Sequence, residues 1–152
     1  AANRVLRILP MTTPGYRKTK RSLPIALLRA RERVMEPVRG MLAESGVTEQ
    51  KWRVLRVLEE TGEIEPTVIA SEACLHLPSL SRILKTMEAD GLVQRKEDLA
   101  DRRKTLVAIS EAGRAILARH SEQSVAIFLE LEERMGKEKI EAVLDLLEEL
   151  LD

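Results

Sequence analysis

At 152 residues the chain is long enough for one domain with a real core, or for a small domain with an assembly arm. Hydrophobic residues at 44% and charged residues at 33% describe an ordinary folded protein, and no run approaches the ~18 apolar residues of a membrane span. Basic and acidic residues cancel at 25 each, which argues against a generic polyanion binder, and the single cysteine excludes an internal disulfide and fits a reducing cytoplasm.

Residues 1–21 show no helical period and end in the cluster Arg17-Lys18-Thr19-Lys20-Arg21. They read as a basic arm, either a solvated tail or a phosphate-contacting one, within which Met11 offers a natural start. Ser22-Leu23-Pro24 reads as an N-cap with proline in the first turn. The helix it opens runs to about Glu44, with Leu27, Leu28, Val34, Met35, Val38, Met41 and Leu42 on its apolar side. Pro37 inside this pattern is expected to kink it, because proline lacks the N–H and its ring crowds the preceding turn. After Ser45-Gly46, Thr48 caps a helix from Glu49 to Glu60 whose Trp52, Leu55, Val57 and Leu58 form a buried face. Gly62 stops it, and Glu63-Ile64-Glu65 reads as a very short strand.

From Pro66 to Ser110 the order is helix, turn, helix, β-ribbon. Pro66-Thr67 opens a helix from Thr67 to Cys74, and Leu75-His76-Leu77-Pro78 makes the turn. A second helix runs from Ser79 to Asp90, and Gly91 follows where a helix favours a left-handed residue. Strands are expected at 92–96 and 105–109, joined by a polar tip at 97–104. Ser110-Glu111 then supplies an N-cap and an acidic first turn. Two more helices are expected. One spans about Glu111 to Arg134, with Ile116, Leu117, Val125, Phe128, Leu131 and Met135 near helical spacing. The other spans Lys137 to Leu151, with Ile140, Val143, Leu144, Leu147, Leu150 and Leu151 at i, i+3, i+4, i+7 spacing. That last stripe is too apolar for water and needs either the rest of the chain or a second chain.

The expected fold is mostly α with a small β-wing: a winged helix-turn-helix domain flanked by N- and C-terminal dimerisation helices. Its divisions are a basic arm at 1–21, a dimerisation helix at 22–46, the winged domain at 47–110 and dimerisation helices at 111–152. Charge follows this plan. Arg17 to Arg39 carries a net +6, Pro78 to Ser110 a net +2, and Arg119 to Asp152 a net −6. One end thus suits DNA and the other does not.

In such a motif the N-terminal part of the second helix meets base edges in the major groove. Pro78, Ser79, Ser81, Arg82, Lys85 and Thr86 stand there, while Leu80, Ile83, Leu84 and Met87 face inward. Arg82 suits guanine O6/N7 and Lys85 suits phosphate. Ser79 is either a base or phosphate contact or the helix N-cap, and Arg82 has a surface salt bridge as its alternative.

The segment Leu77 to Val93 resembles the recognition helix of the multiple antibiotic resistance regulator (MarR) family. Asp101-Arg102-Arg103 followed by Val107-Ala108-Ile109-Ser110-Glu111-Ala112-Gly113 is similar to that family's D-x-R wing and its V-x-L-T-x-x-G, with Ile109 and Ser110 replacing Leu and Thr. The likeness covers about residues 22–150. The stretches Ser22 to Glu32, Thr48 to Leu55 and Ala73 to Leu75 look like the subgroup regulating homoprotocatechuate (3,4-dihydroxyphenylacetate) degradation, whereas Pro37 and His76 depart from it.

The resemblance implies that Arg103 enters the minor groove and that Asp101 braces it. A narrow minor groove has enhanced negative potential and attracts arginine. Arg95, Arg102 and Lys104 are then phosphate candidates. The other reading of the tip is a solvated charged loop. The resemblance further implies a homodimer on a pseudo-palindromic duplex, released when a small phenolic or aromatic acid binds. A site for such an anion needs a fixed cation, apolar walls and a few polar groups. Ser22, Arg29, Arg31, Trp52, Arg53 and His76 are the candidates: Arg29 or Arg31 for the carboxylate, Trp52 as wall or core, and His76 for catechol hydroxyls, for capping or for phosphate.

Cys74 is either an oxidant-sensing thiol or a buried small residue closing the first helix of the motif. Sensing thiols of the family sit near the first helix, where this chain has none. An enzyme is not expected. His76, His120 and Cys74 form no metal-ligand spacing, and neither a phosphate-binding glycine loop nor a nucleophile elbow is present, so no cofactor is expected. The remaining alternative is a winged module that binds protein.

Overall fold

The structure is a computed structural model describing residues 18–152. Most of the expected basic arm, with Met11 and Arg17, lies outside the described residues. The chain divides into two units, residues 1–35 and 36–152.

In the first unit Thr19–Arg21 makes one 3-10 turn, and helix α1 (Leu23–Ala43) begins directly after Ser22. Ser22 supplies the backbone half of a cap, its carbonyl accepting from the Ala26 N–H at 2.9 Å. Its hydroxyl, expected to cap, instead donates to the Thr19 carbonyl at 3.0 Å and closes the preceding turn. Helix α1 carries Pro37 in its interior and does not end there.

In the second unit the last turns of α1 bury Val38, Met41 and Leu42. Helix α2 (Glu49–Thr61) is capped as expected, the Thr48 hydroxyl accepting from the Lys51 N–H at 3.2 Å. Helices α3 (Pro66–Glu72) and α4 (Leu77–Ala89) follow, then strands β1 (Val93–Glu97) and β2 (Thr105–Ile109). The strands pair antiparallel with Val93 opposite Ile109 and Glu97 opposite Thr105. The short strand expected at Glu63-Ile64-Glu65 contracts to one bridge, Ile64 against Val107. The core joins Val54, Leu55 and Leu58 of α2, Ile69 of α3, Leu80, Leu84 and Met87 of α4, and Val93, Val107 and Ile109 of the ribbon.

Three helix ends close in the same way. After α1 the Val47 N–H reaches the Leu42 carbonyl, after α3 Leu75 reaches Ala70, and after α4 Leu92 reaches Met87. Each motif needs a left-handed residue just before the bonding N–H. Gly46 and Gly91 supply it at φ +63° and +75°, whereas after α3 Cys74 does so at φ +53°. Cys74 is therefore exposed, and Ala73 is the buried small residue there, which corrects the expected buried closing role for the thiol.

Helix α4 begins two residues earlier than expected, with His76 as the residue before it and Pro78 in its first turn. The Leu80 N–H bonds the His76 carbonyl, so Ser79 lies inside the first turn and is not the N-cap.

Helix α5 (Glu111–Met135) starts at Ser110, whose hydroxyl accepts from the Gly113 N–H at 3.1 Å and donates to the Gly91 carbonyl at 2.6 Å. That one hydroxyl ties the end of α4 to the start of α5. The fully buried residues of α5 are Gly113, His120 and Ser124, with Ile116 and Leu117 partly buried against the core, while Val125 and Phe128 of the periodic apolar set are exposed on the single chain. Helix α6 (Lys137–Leu151) buries no residue, and leaves Val143, Leu144, Leu146, Leu150 and Leu151 in the open.

Candidate nucleic-acid interface

Helix α4 is held by its buried row, Leu80, Leu84 and Met87, which turns the opposite row outward. Pro78, Ser81, Arg82, Lys85 and Thr86 are exposed and Ser79 is half-buried. The hydroxyls of Ser81 and Thr86 bond back to the carbonyls of Leu77 and Arg82 within the helix, at 3.0 and 3.3 Å. Arg82 and Lys85 make no ion pair among the described residues. The face offers two free cations beside hydroxyls that can rotate toward a new partner.

The turn leading into α4 is clamped from α2. The Arg53 guanidinium donates to the carbonyls of Ala73 and Cys74 at 2.7 and 3.3 Å, while its Nε is buried with no partner among the described residues. Arg53, expected as a ligand contact, is engaged in holding the turn. Carbonyls at a helix C-terminus carry partial negative charge, which is why a cation settles there.

On the wing, Arg103 donates through Nε to Asp101 Oδ1 at 3.2 Å and through its terminal nitrogen to Oδ2 at 3.4 Å. The Arg103 backbone N–H adds a third bond to Oδ1 at 3.1 Å. The arginine side chain is 91% exposed and that of the aspartate 31%, so the carboxylate sits behind a projecting guanidinium. These hydrogen bonds, the side-chain ones first and the backbone one second, hold the Asp101 carboxyl below its ordinary value of 3.8.

The wing is also tied to the body. Arg95 pairs with Glu88 of α4 at 2.8 Å, Lys96 with Glu63 at 2.6 Å, and Lys104 with Glu65 at 3.1 Å. The bond to Glu65 raises the Lys104 ammonium above its ordinary 10.5. Exposed pairs such as these contribute little to stability because solvent screens them. They bias the angle of the wing, and a phosphate competes with them at little cost. Arg102 is exposed at the tip.

The expected effector residues fall in different units. Ser22, Arg29 and Arg31 belong to the first, where Arg31 lies 3.8 Å from Glu32. Trp52, Arg53 and His76 belong to the second. Trp52 is 7% exposed and is part of the core, while His76 is exposed at the head of α4.

Sequence reasoning passed over His120. It is 1% exposed, its Nε2 lies 2.5 Å from the Ser45 hydroxyl, and its ring meets Trp52 edge-to-face with centroids 6.0 Å apart. The available signal was spacing: Gly113, Ile116, Leu117, His120 and Ser124 recur on one face of the helix, so His120 shares the side that packs inward.

A clamped turn, a helix with free outward cations and a braced arginine on a two-stranded wing define a winged-helix DNA-binding regulator. The chain belongs to the MarR family, whose model matches residues 47–105. It is 37% identical over 130 residues to the homoprotocatechuate degradative operon repressor of Escherichia coli, covering 86% of this chain and 88% of that protein. NadR, solved in complex with 4-hydroxyphenylacetate, is 32% identical with a TM-score of 0.77, covering 89% of this chain and 96% of that one. The repressor CouR, solved on a 23-mer DNA duplex, is 28% identical with a TM-score of 0.78, covering 86% and 93%.

Proposed function

We propose that this MarR-type transcriptional repressor acts in the cytoplasm as a homodimer on the promoter of an aromatic-acid catabolic operon, and that a phenolic acid releases it. The observation that carries the DNA-binding part is the Asp101–Arg103 pair. A wing that binds protein has no need of a braced guanidinium 91% exposed at its tip. Two copies of α4 in a two-fold dimer meet half-sites roughly 10 base pairs apart. Arg82 reads a base edge, Lys85 and Arg102 meet phosphates, and Arg95 and Lys104 exchange carboxylates for phosphates on binding.

The effector class rests on the relatives named for homoprotocatechuate degradation and solved with 4-hydroxyphenylacetate. Binding of such an acid alters the separation of the two α4 helices and shifts the population away from the DNA-competent state. A second reading, an oxidant-responsive repressor, is favoured by one observation: the only cysteine is exposed in the turn that α4 depends on.

Fluorescence anisotropy on the protein's own promoter DNA at fixed salt, without and with 3,4-dihydroxyphenylacetate, tests both. Tight binding released by the acid is the expected result. Tight binding released only by peroxide transfers sensing to Cys74, and no sequence-specific binding overturns the DNA reading.

A further inference from the structure

The wing tip carries an apolar side chain that folding leaves uncovered. Leu99 is 94% exposed, the most open of the large hydrophobic side chains among the described residues. It does not sit on a loose loop. The Asp98 N–H bonds the Lys104 carbonyl at 3.0 Å, and the Lys104 N–H bonds the Asp101 carbonyl at 3.0 Å. The Asp98 carboxylate accepts from the Ala100 N–H at 2.9 Å, and Asp101 holds Arg103. Asp98 and Asp101 are thus used as internal braces. What the tip presents outward is Leu99, Arg102 and Arg103.

Single exposed hydrophobics are ordinary on a protein surface. This one stands within four residues of a guanidinium read as entering the minor groove. That groove is about 6 Å wide, and its walls are deoxyribose C–H groups. An arginine satisfies the floor of such a groove, but the walls offer it nothing to pair with. Apolar side chains are the groups that proteins set against minor-groove sugars and base steps.

We propose that Leu99 packs on the deoxyribose wall of the minor groove beside Arg103, as an affinity contact that neutralises no phosphate. The proposal rests on the DNA-binding reading above. Covering most of a leucine corresponds to about tenfold in affinity per wing. It releases no counterion, so the slope of log affinity against log salt stays unchanged.

The test compares wild type, Leu99→Ser, Leu99→Met and Arg103→Ala on the promoter duplex, by anisotropy over a salt series and by hydroxyl-radical footprinting, which reads sugar exposure. Leu99→Ser, which removes the contact at both wings of the dimer, is expected to bind about a hundredfold more weakly at every salt, with the wild-type slope, and to lose sugar protection at the wing steps alone. Leu99→Met is expected to restore both. Arg103→Ala, which removes one cation from each of two wings, is expected to lower the slope by about 2. Wild-type affinity and footprint in Leu99→Ser overturn the proposal while Arg103→Ala still reports a working wing. Unchanged binding in Arg103→Ala, or no specific binding by the wild type, overturns the wing reading and this inference with it.

Discussion

The imidazole of His120 lies 2.5 Å from the hydroxyl of Ser45, so a residue in the middle of α5 is fastened to the turn that ends α1. His120 is among the largest fully buried side chains and rests its ring on Trp52. His120→Ala removes a buried ring and leaves the Ser45 hydroxyl without this partner. We expect a loss of roughly 2–4 kcal/mol in chemical denaturation. Ser45→Ala leaves the imidazole nitrogen unpaired and should cost about 1–3 kcal/mol. Trp52, the single tryptophan, reports either change through its fluorescence. A wild-type midpoint in both variants would remove the structural role assigned to this pair.

The brace on the wing makes a prediction with a defined pH sign. Asp101 is held below its ordinary 3.8 by Arg103, so its ionised form and the brace are present above that value and fail only as pH falls through the lower, folded value. DNA affinity should therefore show no step from Asp101 between about pH 5 and 8. Asp101→Asn keeps an acceptor and drops the charge. It should weaken promoter binding less than Arg103→Ala does. Equal losses would mean that the carboxylate does more than orient the guanidinium.

Gly113 is demanded by packing. A Cβ there would lie 2.5 Å from the Leu92 carbonyl, 2.7 Å from Ile109 Cγ1 and 3.0 Å from Leu55 Cδ2. The nearest of these atoms is backbone and cannot swing aside. Gly113→Ala should lower stability by about 1–3 kcal/mol through overpacking, seen as a fall in Tm. An unchanged Tm would show that α5 can slide along α2.

Cys74 sits at φ +53° where its two counterparts are glycines. A side chain in that conformation costs on the order of 1 kcal/mol. Cys74→Gly should thus fold as well as or better than wild type, by up to about 1 kcal/mol. The same variant, titrated on promoter DNA, should keep its release by phenolic acid. Loss of release by oxidant alone would identify the thiol as a sensor.

The exposed apolar row on α5 and α6 predicts assembly. Val125, Phe128, Leu129, Leu144 and Leu150 gain on the order of 1 kcal/mol each when a second copy covers them. Leu150→Glu, 58% exposed in the single chain, should leave helicity intact and shift sedimentation toward monomer. It should also weaken promoter binding, because one half-site contact then stands alone. A variant that stays dimeric would place the dimer contact elsewhere.

Local chemistry determined the order of the elements, the stop at Gly91 and the caps at Thr48 and Ser110, while the Asp101–Arg103 brace was legible only through the family resemblance of the wing. Each of the local features is decided within a few residues, by φ or by an unpaired N–H. The tertiary structure decided what depends on distant partners. Arg53 reaches the Cys74 carbonyl 21 residues ahead, and His120 reaches Ser45 across 75 residues. It also made Gly113, His120 and Ser124 the buried positions of α5. A helix's bulky apolar row shows that something covers it, but whether that cover is the same chain or a second copy is a matter of packing, to which local periodicity is blind.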